Sequence, residues 1–126
     1  MEKIIFTLDD SNVIKANLEM ILEDAGFKHQ HSWDGEEAIE NLKTLEKENK
    51  RISLVFCDIN MPKKNGIEFL KWFKSQPQYK LIPVIMMTTE TEVSLMQEAK
   101  QIGAAGWIIK PFMEEQLLDV IRKFAK

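Results

Sequence analysis

Asp58 ends an apolar run, Ile52 to Cys57, and the chain then turns through Ile59-Asn60-Met61-Pro62. A buried strand that ends in a carboxylate must place that charge at a sheet edge, and in an open parallel sheet ligands bind at the carboxyl ends of the strands. Three further apolar runs end the same way. Lys3–Leu8 runs into Asp9 and Asp10, Val84–Met87 into Thr88-Thr89-Glu90, and Trp107–Ile109 into Lys110. Each is unremarkable alone: an acid after a strand, a turn before a helix, a helix-capping threonine, a surface lysine. In a parallel sheet all four endings fall on one rim, and that convergence is the strongest chemical signal in the chain.

Three carboxylates gathered there repel one another. Two unit charges about 4 Å apart cost about 4 kcal/mol at an effective dielectric of 20. Lys110 offers a single positive charge, which leaves the site short of cation. An oxygen-rich site with a few carboxylates suits Mg²⁺, and Mn²⁺ would also fit. A carboxylate can act as a nucleophile towards phosphorus. The phosphoryl oxygens then need positive charge and hydrogen-bond donors, which the ion, the Lys110 ammonium and the Thr88 hydroxyl would supply. Asp58 is therefore expected to be the reacting group.

The elements that must position these residues read as alternating strands and helices. Strands are expected at 3–8, 28–33, 52–57, 84–87 and 105–109. Ser11 or Asn12 can cap the first helix, which carries Ile14, Leu18, Ile21, Leu22 and Ala25 at helical spacing and stops at Gly26. Asp34 and Glu37 form a capping box before a helix carrying Ala38, Ile39, Leu42 and Leu45. A third helix carries Ile67, Leu70 and Phe73 up to Gln76-Pro77. A fourth is expected over roughly 91–102, ending at Gly103, and the last carries Leu117, Leu118, Ile121 and Phe124. Strand–helix alternation implies a parallel sheet covered on both faces. The expected fold is a doubly wound α/β domain with five parallel strands in the flavodoxin-like order 2-1-3-4-5.

The chain's 126 residues suit one domain, 1–126, with no output domain after it. The 44% hydrophobic content supports a core, and a net charge of −3 gives no reason to expect nucleic acid. No apolar run reaches membrane-spanning length, and no signal peptide precedes the first strand. One cysteine, Cys57, excludes an internal disulfide and points to the cytoplasm, with a buried, inert thiol. His29 and His31 alternate with polar residues on an edge strand and read as exposed rather than as metal ligands. Trp33 and Trp72 read as packing or partly exposed, and the seven methionines as core filling.

With these residues in place the chain resembles the response-regulator receiver domains, and among them the chemotaxis CheY type. The resemblance rests on Thr7-Leu8-Asp9-Asp10-Ser11, Asp58-Ile59-Asn60-Met61-Pro62, Pro83 to Glu90, and Gly103 to Phe112, and it covers nearly the whole chain. It implies that Asp58 accepts a phosphoryl group from the phosphohistidine of a histidine kinase. It implies that Asp10, Asp58 and the Asn60 backbone carbonyl bind Mg²⁺ directly, with Asp9 acting mainly through water. Thr88 and Lys110 would contact the phosphoryl group, Trp107 matches the aromatic switch position, and Glu90 flanks the site. The Lys110-Pro111 bond would be cis. The implied role is a monomeric signalling switch whose 91–126 face changes its binding to a flagellar motor switch protein or another output protein, with a phosphatase as a further partner. Such a domain promotes only its own phosphorylation and dephosphorylation and is not an enzyme on other substrates.

Two other roles use the same groups. A phosphorelay intermediate would pass the phosphoryl group on to a histidine phosphotransfer protein. A Mg²⁺-dependent aspartyl-phosphate phosphatase would place its nucleophile after the first strand and carry a cap domain, and this chain does neither. Two departures from the family pattern are visible. Lys64-Asn65 replaces the frequent Met-Asp before Gly66, and Met113 stands where a capping Ser, Thr or Asn is common, so the last helix is expected to start less firmly.

Overall fold

The computed structural model describes residues 3–59, 65–89 and 94–125. The elements run β1 (Lys3–Leu8), α1 (Asn12–Asp24), β2 (Lys28–Ser32), α2 (Gly35–Lys47), β3 (Arg51–Asp58), α3 (Gly66–Ser75), β4 (Val84–Thr88), α4 (Met96–Ile102), β5 (Gly106–Ile109) and α5 (Glu114–Phe124). The strands form one sheet in the order β2-β1-β3-β4-β5, and every neighbouring pair is parallel. This is the doubly wound, flavodoxin-like arrangement expected from the alternation.

The two-residue period of the strands divides the core between the faces. Phe6 and Leu8 of β1, Val55 and Cys57 of β3, and Val84 and Met86 of β4 pack with α2, α3 and α4. Ile5, Leu54, Phe56, Ile85 and Met87 point to the opposite face and pack with α1 and α5. The β1–β3 pairing slips between Ile4 and Ile5, so that Ile4 faces Ile52 while Ile5 faces Leu54. The slip is why Ile52 and Val55, three residues apart, share one core.

Helix starts follow the sequence closely, with informative exceptions. Ser11 caps α1 by accepting from the Ile14 N–H at 3.3 Å. Gly26, at φ +85°, then turns the chain after that helix. Asp34 caps α2 through the Glu37 N–H at 2.9 Å, and the Glu37 carboxylate accepts from the Trp33 N–H at 2.9 Å. Asn65 caps α3, accepting from Glu68 N–H at 2.9 Å. Met113 offers α5 no side-chain cap, as its type predicted. The Gln116 side chain nevertheless accepts from the Met113 N–H at 2.9 Å, so the first turn of α5 is held by one half of a box. Of the helix expected over roughly 91–102, α4 covers Met96–Ile102 and residues 94–95 are 3₁₀, while residues 91–93 lie outside the described ones. The methionines are not uniformly core: Met86, Met87 and Met96 are buried, whereas Met20 and Met113 are exposed.

Candidate functional site

β1, β3, β4 and β5 end side by side, which carries their last residues to one rim. Asp58 is the final residue of β3, and its neighbour Ile59 is tied to β4 by an N–H to the Met87 carbonyl at 3.0 Å. Lys110 follows β5, and its own N–H is held by the Thr88 carbonyl at 2.7 Å. The Lys110 ammonium crosses the rim and donates to Asp9 Oδ2 at 3.2 Å and to Asp58 Oδ1 at 3.1 Å. Asp9 and Asp58 are buried, whereas Asp10 is exposed, yet carboxylate oxygens of all three lie within 4.8 Å of one another. Side chains from three separate strand ends thus meet as expected. The peptide bond between Lys110 and Pro111 is cis.

Thr88 is buried at the end of β4, and its hydroxyl donates to the Thr89 carbonyl at 3.1 Å. Its single proton is thereby used locally, and contact with a ligand over Asp58 would require the hydroxyl to turn. Trp107, on edge strand β5, is 46% exposed, and Leu95, Ile109 and Met113 are other exposed apolar side chains in this part of the chain. Asn60 and Glu90, both expected at the site, lie outside the described residues.

Charge in the site is uneven. Burial raises the Asp9 pKa above the usual carboxylate value, outweighing the Ser11 N–H and the Lys110 ammonium, and the neighbouring Asp10 charge adds to the rise. Burial alone would lower the Lys110 pKa, but the Asp9 and Asp58 carboxylates outweigh it and hold the ammonium protonated. Burial, reinforced by the Asp58 and Asp9 charges, pushes the Cys57 thiol far up, so it stays a neutral core group. Three carboxylates against one ammonium leave hard oxygen donors in excess, a donor set that fits a divalent cation of the Mg²⁺ or Mn²⁺ kind.

Two contributors escaped the sequence reading. His31, expected to be exposed, is half-buried. Its Nε2 lies 3.0 Å from the Asp9 carbonyl oxygen and its Nδ1 lies 2.7 Å from Thr7 Oγ1. Burial lowers its pKa despite the Asp9 hydrogen bond, which favours the neutral ring. The other is Gly66. An added Cβ there would stand 2.0 Å from the Asp58 carbonyl oxygen, so only a residue without a side chain lets α3 start against the end of β3. Its place directly after a proline-containing loop was visible; the closeness of the backbone behind it was not.

The family model described as the response regulator receiver domain matches residues 5–122. The chain belongs to that family. Among curated relatives, this receiver is 32% identical over 120 residues to the chemotaxis protein CheY-3 of Vibrio cholerae, covering 94% of this chain and 88% of that one. It is 30% identical over 121 residues to the chemotaxis protein CheY homolog of Campylobacter jejuni, covering 93% and 91% of the two chains. Among solved structures, it superposes on the chemotaxis protein CheY4 of Vibrio cholerae with a TM-score of 0.85 at 37% identity, over 98% of this chain and 99% of that one. The five-stranded order is thus that of a receiver domain with relatives of the CheY type.

Proposed function

We propose that this receiver is the phosphoacceptor of a chemotaxis two-component system. Asp58 takes a phosphoryl group from the phosphohistidine of a histidine kinase, in a reaction that requires Mg²⁺. The observation that carries this reading is the Lys110 ammonium bridging Asp9 and Asp58 beside a third carboxylate, Asp10.

In the transfer, an Asp58 carboxylate oxygen forms a bond to phosphorus as the P–N bond of the phosphohistidine breaks, and the imidazole leaves with the electron pair. The product is an acyl phosphate. Asp10, Asp58 and the Asn60 carbonyl would hold a divalent ion, with Asp9 acting mainly through water, and the ion would supply positive charge to the phosphoryl oxygens. Lys110 neutralises a second oxygen. Thr88 exchanges its bond to the Thr89 carbonyl for one to a third. Those contacts exist only in the phosphorylated state, so they bias an equilibrium between two arrangements of the face built from residues 91–126. Trp107 and its exposed apolar companions are where that bias reaches an output partner, for which a flagellar motor switch protein is the leading candidate.

The receiver acts as a cytoplasmic monomer with no nucleic-acid or membrane function of its own. Among the described residues no helix is long and apolar enough to cross a membrane. The test is incubation with acetyl phosphate, with Mg²⁺ and with chelator, read by intact mass. The wild type gains one phosphoryl group only with the metal. A gain equal in chelator removes the metal from the account, and no gain in either condition removes the phosphoacceptor.

A further inference from the structure

Every polar atom of Asp9 is engaged. Its N–H donates to the Ser32 carbonyl at 3.2 Å, Oδ1 accepts from the Ser11 N–H at 2.9 Å, Oδ2 takes the Lys110 ammonium, and the backbone carbonyl faces His31 Nε2 at 3.0 Å. Three of these partners follow from the fold: the last rung of the β1–β2 ladder, the start of α1 and the lysine after β5. The fourth is a side chain from the polar edge strand.

A carbonyl oxygen cannot donate, so the His31 Nε2 must carry the hydrogen. In the neutral ring Nδ1 is then an acceptor, and the Thr7 hydroxyl donates to it at 2.7 Å. Thr7 and His31 are register partners across β1 and β2. The imidazole also meets the Trp33 ring edge-on, with centroids 4.8 Å apart and planes at 81°, and the Lys15 ammonium lies 6.0 Å from the other ring's centroid. The ring is held by two hydrogen bonds and one aromatic contact, which leaves it one orientation.

The carbonyl it grips belongs to the Asp9–Asp10 peptide. That unit is planar, so fixing its oxygen fixes the direction in which the Asp10 Cα leaves. Asp10 is the exposed member of the acidic cluster, and repulsion from two buried carboxylates would otherwise favour its turning to solvent. We propose that His31 is a positioning residue for the divalent-cation site, acting through the Asp9 carbonyl to hold the Asp10 carboxylate towards Asp58. The proposal rests on the reading of the acidic cluster as a Mg²⁺ site.

The test is a Mg²⁺ titration of the intact chain, followed by tryptophan fluorescence, on wild type, His31→Phe, His31→Gln and Asp10→Asn. His31→Phe keeps a ring against Trp33 but removes the donor. His31→Gln retains an N–H near the place of Nε2. The expected result is a Kd raised about 10-fold in His31→Phe, at the low end of what loss of a ligand-orienting partner costs, and restored to within about 3-fold of wild type in His31→Gln. Equal affinities for wild type and His31→Phe overturn the proposal, as does a loss in His31→Gln as large as in His31→Phe. If His31→Phe does not fold, the imidazole nitrogen spectrum of the wild type decides. The proposal requires hydrogen on Nε2 and a shift of that resonance on adding Mg²⁺, and hydrogen on Nδ1 refutes it. A wild type that binds no Mg²⁺, or an Asp10→Asn variant that binds as well as wild type, sinks the underlying reading of the cluster instead.

Discussion

Replacing Gly66 by alanine should damage the phosphoacceptor through the backbone alone. The new Cβ would lie 2.0 Å from the Asp58 carbonyl oxygen, 2.8 Å from Ile59 Cα and 2.9 Å from the Asp58 carbonyl carbon. Ordinary contact begins at 3.4 Å, so the oxygen or the helix must retreat by 1.4 Å, the difference between 3.4 and 2.0. Asp58 has little room to give, because Ile59 is bonded to Met87 of β4 and the Asp58 side chain is held by Lys110. Moving α3 instead pulls Ile67, Phe69 and Leu70 from the core. Overpacking of this kind costs roughly 2–3 kcal/mol, which should lower the urea midpoint by roughly 1–2 M. A displacement near 1 Å at the reacting group should slow acetyl phosphate labelling by about 100-fold. Gly26→Ala is the control. Its φ of +85° strains any side chain, but no atom lies within 4 Å, so it should cost about 1 kcal/mol and leave labelling intact. A Gly66→Ala protein with a midpoint within about 0.3 M of wild type and an unchanged labelling rate would show that the Asp58 backbone does not require glycine there.

Three further outcomes are expected. Asp9→Asn should unfold at higher urea than wild type at neutral pH, because burial raises the Asp9 pKa and ionising it costs stability. The sign is that of a raised acid: the penalty is absent below the unfolded value of 3.8, grows as pH rises through the folded pKa and is constant above it, so the two proteins should converge in acid. Urea midpoints across that range check this, and an Asn variant less stable at pH 7 contradicts it. Lys110→Met leaves Asp9 and Asp58 buried without their ammonium and should cost about 3 kcal/mol at neutral pH, with Mg²⁺ recovering part of it; a metal-insensitive loss speaks against a shared site. Asp34→Ala removes the acceptor of the Glu37 N–H and should cost about 1 kcal/mol, lowering Tm by roughly 4 °C while labelling is unchanged.

The strand-end constellation was legible because apolar runs broke off abruptly at Asp9, Asp58, Thr88 and Lys110, and parallel topology sends such ends to one rim. The same alternation implied a parallel sheet, while the order 2-1-3-4-5 was one choice over a strictly sequential one. What could not be read were contacts across space between residues of ordinary type. The alternation around His31 is that of a solvent-facing edge strand, and nothing local reports that Thr7 and the Asp9 carbonyl stand opposite its ring. Gly66 looked like a turn residue, whereas its use is the backbone of β3 pressed against it. The 3₁₀ geometry at 94–95 ahead of α4 has no signature in the sequence, because polar residues in a weakly apolar helix carry little periodicity. The return bond to Trp33 and the Gln116 bond to Met113 are choices among neighbouring N–H groups that residue type alone leaves open.

Everything in the proposed mechanism depends on Asp58 itself receiving the phosphoryl group. The most direct measurement is to label the protein with acetyl phosphate and Mg²⁺, reduce the acyl phosphate with borohydride, and locate the resulting homoserine by tandem mass spectrometry. Homoserine is expected at position 58 and nowhere in Asp58→Asn. Homoserine at another aspartate in the wild type, or undiminished labelling of Asp58→Asn, would contradict Asp58 as the acceptor.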